Sequence, residues 1–163
     1  MSVTPGSYIL LLRLDHDAEA EVGSLGRLWF PAGWYAYAGS ARNGLEGRVG
    51  RHFSVGKRMR WHIDRLTMLS AEMLALTFLS ESAGECALAA ALIEAGGRPT
   101  PPGFGSSDCR CRTHLFHLDD AALKRAIDLP CDGVMRPPTG AGGDDAGPVR
   151  VAVEGPDEGP LQG

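Results

Sequence analysis

Two hydrophobic periods alternate along the chain. Tyr8 to Leu14 is apolar at almost every position, which predicts a strand covered on both faces and therefore central in its sheet. Further strands are predicted at Trp34–Gly39, with Tyr35 and Tyr37 on one face, at Met73–Leu79 and at Cys109–Leu118. Leu45, Val49 and Phe53 recur at i, i+4 and i+8 and mark a helix over Gly44–Phe53. Arg48 and His52 flank that stripe, so both heads are expected where helix meets sheet, with Arg51 pointing further out. Trp61–Leu69 reads as a second helix. Gly84–Ala95 reads as a third, rich in strong helix formers and stopped by Gly96-Gly97, and Asp119–Leu129 as a fourth, capped by its aspartate. Val22–Phe30 reads as a short strand or hairpin arm turned by Pro31-Ala32-Gly33, and Asp15–Glu21, Ser54–Arg60 and Arg98–Ser107 read as loops.

From Pro130 the chain is Pro, Gly and acid with few large apolar residues, too little to offset the entropy of ordering. The expected organisation is one domain over residues 1–129 and a disordered tail over 130–163.

Composition changes the picture in one respect. The net charge of −4 conceals a basic block between residues 27 and 65: Arg27, Arg42, Arg48, Arg51, Lys57, Arg58, Arg60 and Arg65 stand against Glu46 and Asp64 alone. A basic block in an acidic chain points to a local polyanion-binding face, or to a solvated arginine-rich surface. No apolar run is long enough to span a bilayer, and no basic segment followed by an apolar one opens the chain, so a cytoplasmic protein without a membrane partner is expected. The cysteines, Cys86, Cys109, Cys111 and Cys131, are then expected reduced or metal-bound.

Gly6-Ser7-Tyr8 heading an apolar strand, then Tyr37-Ala38-Gly39, Ser40-Ala41, Asn43, Leu45, Arg48 and His52, resemble the signature of the GIY-YIG nuclease superfamily. The runs Trp61-His62-Ile63-Asp64 and Gly103 to Cys111 are similar to those of its Uri-type endonuclease branch, and the likeness covers roughly residues 5 to 118. With the predicted elements, it implies an α+β fold: a small, mainly antiparallel sheet of three to five strands flanked by helices. The pattern departs from the superfamily in three places. The two tyrosine motifs lie further apart than usual, with 28 residues between Tyr8 and Tyr37, a stretch that an inserted hairpin would absorb. The carboxylate Glu85 sits one helical turn before the family's usual place, where Ala89 stands, although on the same helix face. The asparagine that often follows is missing.

The resemblance implies an endonuclease that hydrolyses DNA with one divalent cation, Mg2+ or Mn2+. Glu85 would hold the metal, Arg48 the phosphate, and His52 would assist proton transfer. Tyr8, with Tyr37 beside it, would orient or deprotonate the attacking water, and Tyr35 is the substitute should Tyr8 lie elsewhere. Arginine suits the phosphate because its planar fork offers parallel donors. A phenol has an ordinary pKa near 10, so a base role needs nearby cations. Arg42, Arg51, Lys57, Arg58, Arg60 and Trp61 are the expected nucleic-acid contacts, Trp61 by stacking. Cys109, Cys111 and His114 beside Asp108 form a C-x-C-x-x-H run with thiolate and imidazole ligands suited to zinc, which would need His62, His117 or Cys86 to complete four. A non-catalytic nucleic-acid-binding module on the same fold is the alternative, and a zinc-stabilised interaction domain a weaker one.

Overall fold

The computed structural model describes residues 4–54, 61–79, 84–100, 103–104 and 111–138 and the backbone of 152–154. Its fold is α+β. The strands, in chain order, are β1 (Gly6–Leu14), β2 (Ala18–Glu21), β3 (Arg27–Phe30), β4 (Gly33–Ala41), β5 (Glu72–Leu79), β6 (Arg98–Pro99), β7 (Leu115–Leu118), β8 (Gly133–Arg136) and β9 (Ala152–Glu154). The helices are α1 (Leu45–Phe53), α2 (Ile63–Leu69), α3 (Glu85–Glu94) and α4 (Asp120–Ile127). The main sheet runs β6-β7-β4-β1-β5-β8-β9, every neighbouring pair antiparallel. Five of these strands have four or more residues, and the two- and three-residue strands β6 and β9 close its edges.

β1 is central, as its unbroken apolar run predicts: Ile9, Leu10, Leu11 and Leu12 are wholly buried. Its even positions, Tyr8, Leu10 and Leu12, belong to the core shared with Leu45, Val49 and Phe53 of α1 and Ile63 and Leu66 of α2. Its odd positions, Ile9 and Leu11, pack with Leu88, Ala89 and Leu92 of α3 and Ala122 and Ala126 of α4. Alternation along one strand therefore separates α1 and α2 from α3 and α4 on opposite faces. The boundary of α1 is set by Gly44, whose φ of 123° only glycine adopts without strain, and Leu45 N then donates to Thr4 O at 2.8 Å.

The long spacing between the tyrosine motifs is absorbed by a hairpin. β2 and β3 pair with each other in a separate two-stranded sheet, so β1 and β4 remain direct neighbours, with Leu10 opposite Tyr37 and Tyr8 opposite Gly39. The expectation of a loop over Asp15–Glu21 is thereby corrected. Its second half is strand, because Ala18 and Ala20 pack against the core while Glu19 and Glu21 stay exposed.

Part of the stretch expected as tail is strand. Gly133–Arg136 is β8, paired with β5 through Ala75↔Met135 to Thr77↔Gly133, and Met135 is buried. Asp132 secures the entry by accepting from Leu79 N at 2.7 Å. A buried methionine and backbone ladders to β5 and β9 order a segment that an apolar count over the whole stretch does not mark. Cys109–Leu118 is strand only from Leu115 among the described residues, and Asp119 caps α4 by accepting from Ala122 N at 2.8 Å, as expected. No described helix is long and apolar enough to cross a membrane.

Candidate active site

Tyr8, Tyr37, Arg48 and His52 converge on the α1 face. The Tyr8 hydroxyl lies 2.6 Å from His52 Nε2, and the two rings are 5.4 Å apart. Tyr37 stands 6.4 Å from Tyr8 and 6.3 Å from His52, edge-on to the imidazole. The approach depends on Gly39. A Cβ there would stand 2.5 Å from both Cζ and the hydroxyl of Tyr8, so the ring lies across a position that only glycine leaves open.

His52 is turned inward and 1% exposed, not emergent at the helix edge as its place beside the stripe suggests. The hydrogen bond to Tyr8 accounts for this, since a buried imidazole needs a polar partner. Burial, and secondarily the neighbouring Tyr37, pushes the Tyr8 phenol well above its ordinary pKa, and the charge and hydrogen bond of Arg48 oppose this without overcoming it. Tyr37 is raised as well, chiefly by burial and then by Glu85. Both phenols therefore hold their protons, and the tautomer of His52 sets which partner donates in the Tyr8–His52 bond. The charge of Arg48 alone does not bring the Tyr8 phenol down toward a base, because desolvation outweighs it.

Arg48 and Arg51 each place a guanidinium over the Trp61 ring, 4.2 and 4.1 Å from its centroid. Arg51 is further held by Asp64, which it grips through both nitrogens at 2.7 and 3.0 Å. Asp64 is fully buried and also accepts from Trp61 N at 2.9 Å, so it anchors both the arginine and the tryptophan. Its role is larger than the helix-dipole partner its first-turn position suggests. The legible signal is an acid reaching back three residues to a backbone N–H, as in a capping box. Around Arg48, Arg51 and Trp61 lies a cleft of about 260 Å³ lined also by Asn43, Gly44 and Gly47, over the first turn of α1 where the helix dipole is positive.

Glu85 arrives from the other face, on the first residue of α3. Its Oε1 is 3.4 Å from Ser40 Oγ and its Oε2 3.5 Å from His114 Nδ1. It lines a second cleft of about 370 Å³ with Gly6, Ser7, Ser40, Arg42 and Cys86. The two clefts open on either side of the same strand ends, where Gly6 pairs with Ala41 and Ser7 with Ser40. Tyr8, next along β1, feels the charges of both Arg48 and Glu85.

Tyr35 is not at the site. It donates to Pro31 O at 2.5 Å and packs on Phe30 and His117 near the hairpin. Of the three residues considered to complete the cysteine–histidine run, Cys86 joins Cys111 and His114, whereas His117 lies 3.3 Å from Ala32 O and His62 packs on Phe104. Lys57, Arg58, Arg60, Asp108 and Cys109 lie outside the described residues.

No curated protein and no solved structure matches the chain significantly. One family model does, over residues 7–132, and its description is "Domain of unknown function DUF123".

Proposed function

The chain belongs to the DUF123 family, and from that premise we propose that it is a metal-dependent endonuclease of GIY-YIG type, hydrolysing DNA phosphodiester bonds with one divalent cation, Mg2+ or Mn2+. The observation that carries this reading is the Tyr8–His52 hydrogen bond of 2.6 Å, with Arg48 against the phenol and Tyr37 beside it. Tyrosine, arginine and histidine are the residue types that in-line attack on phosphorus requires: a proton relay and a fixed cation for the developing charge.

In this account the phosphate lies across the ends of β1 and β4, between the two clefts. Arg48 neutralises its equatorial oxygens and Arg42 the adjoining backbone. Arg51 holds Trp61, which offers a ring to an unpaired base. Tyr37 is half-buried whereas Tyr8 is closed off, so Tyr37 is the phenol that meets the attacking water. The water's proton passes to Tyr37 as Tyr37 gives up its own toward Tyr8, and Tyr8 in turn passes one to an unprotonated Nε2 of His52, so neither phenol is left as a tyrosinate and the imidazole ends up holding the proton. Glu85 fits a hard cation: it offers carboxylate oxygens in a cleft with room for water, and magnesium needs few protein ligands. That ion, when bound, acidifies a coordinated water and offsets charge on the phosphate.

A second reading, a non-catalytic nucleic-acid-binding module, draws on the placement of Glu85, which approaches from the α3 face beside Ser40 and His114. Incubation of labelled single-stranded, duplex and branched DNA with Mg2+ or Mn2+ separates the two. Endonuclease activity abolished by Glu85→Gln and His52→Ala supports the enzyme. DNA binding with no cleavage in either metal supports the module.

A further inference from the structure

Cys86, Cys111 and His114 bring three metal-binding atoms within 4.8 Å of one another, and we propose that they hold one zinc ion, with Glu85 as the carboxylate that orients the histidine. The three come from two segments far apart in sequence: Cys86 from the first turn of α3, Cys111 and His114 from the approach to β7. Their meeting depends on the packing of α3 against the sheet, which makes chance proximity of neighbours in sequence no explanation.

The spacing is close to that of a tetrahedral site. Bonds of ~2.3 Å to sulfur and ~2.0 Å to nitrogen put ligand sulfur and nitrogen ~3.5 Å apart. Cys86 Sγ and His114 Nε2 are 3.9 Å apart, so a few tenths of an ångström of contraction closes the pair around an ion. The opposite edge of the ring has a carboxylate in reach. Nδ1 lies 3.5 Å from Glu85 Oε2 without hydrogen-bond geometry, and a small turn of the carboxylate on metal binding would let it accept the Nδ1 proton and leave Nε2 for the metal. His114 is 1% exposed, Cys111 half-buried and Cys86 exposed, so the ion enters from the Cys86 side, and a water completes four-coordination.

Two thiolates and an imidazole select zinc over magnesium. The site is therefore chemically distinct from the hard-cation role of Glu85 and does not depend on nuclease activity. The two share one carboxylate, whose Oε1 faces Ser40 and Oε2 His114. Zinc at the cysteines draws Glu85 toward His114 and so biases the neighbouring cleft.

The test uses the full chain, purified from zinc-supplemented cells and dialysed without DNA. Metal analysis is expected to find one zinc per chain, retained in Cys131→Ser and lost in Cys111→Ser and His114→Asn. Chelator competition is expected to show Glu85→Gln weakening zinc affinity about 10–100-fold while stoichiometry survives. Should a ligand variant fail to fold, cobalt exchanged into the wild-type chain decides: a thiolate-to-cobalt charge-transfer band supports the assignment. Far less than one zinc per wild-type chain, a cobalt complex lacking that band, or equal zinc loss from Cys131→Ser would overturn it. Wild-type protein that cuts DNA yet is isolated with far less than one zinc per chain would overturn the zinc site alone, and stoichiometric zinc in a protein that never cuts DNA would overturn the nuclease alone.

Discussion

Gly39→Ala is the smallest change that should dismantle the Tyr8–His52 pair. The new Cβ would stand 2.5 Å from both Cζ and the hydroxyl oxygen of Tyr8, roughly 1 Å inside ordinary contact, and Tyr8 is 1% exposed and hemmed in by the α1 core. Gly39 does not need a positive φ, so the backbone accepts alanine and the whole effect falls on the ring. Overpacking of a closed core costs about 1–3 kcal/mol. A ring pushed by that distance also lengthens the 2.6 Å bond to His52 beyond hydrogen-bond reach, adding about 1 kcal/mol. The expected loss is thus about 2–4 kcal/mol, and with a urea m-value of about 2 kcal/mol/M the unfolding midpoint falls by about 1–2 M. Gly47→Ala is the control, since nothing lies within 4 Å of its Cβ and it sits inside α1; it should raise the midpoint by about 0.25–0.5 M through helix propensity alone. A Gly39→Ala midpoint within about 0.25 M of wild type would refute the packing argument, because 0.5 kcal/mol is below the least that overpacking costs.

Two further outcomes follow from the same site. Asp64→Asn should destabilise by about 3 kcal/mol, since it leaves the Arg51 guanidinium without its buried partner; urea unfolding measures this, and a change below about 1 kcal/mol would mean the pair is not held as described. All three tyrosines have raised pKa values, mainly from burial, so the folded state keeps protons that the unfolded state releases. Stability contributed by these phenols is then intact below pH ~10 and is lost as pH rises above it. Ultraviolet titration should show no reversible tyrosinate near pH 10 before unfolding, and one tyrosine ionising there in native protein would contradict the burial.

Much of this architecture is legible in periodicity. An unbroken apolar run placed β1 at the centre, and a single i, i+4, i+8 stripe placed α1 against it, because both features follow from burial alone. The spacing mismatch announces the hairpin, though its first strand reads as loop because two alanines carry a weak β signal. What stayed hidden depends on tertiary partners. His52 beside the stripe looks like an edge residue until Tyr8 supplies the hydrogen bond that lets it go under. Tyr8 looks like a base beside a cation until the depth of its burial is known. Glu85 shares a helix face with Ala89, yet nothing local says that α3 lies across the sheet from α1, or that its carboxylate faces His114. Cys86 is distant in sequence from Cys111 and joins it only through α3 packing. β8 is not legible in the sequence because its pairing partner, β5, is what orders it.

The central claim is that Arg48 and the Tyr8–His52 pair serve phosphodiester hydrolysis. Single-turnover cleavage of end-labelled DNA by wild type and Arg48→Ala, each with Mn2+ and with chelator, tests it most directly. The account predicts chelator-sensitive hydrolysis by wild type and a loss of at least about 100-fold in Arg48→Ala, the scale of removing one fixed donor from a transition state. Wild-type protein that cuts no DNA in either metal, or hydrolysis that survives Arg48→Ala unchanged, would contradict it.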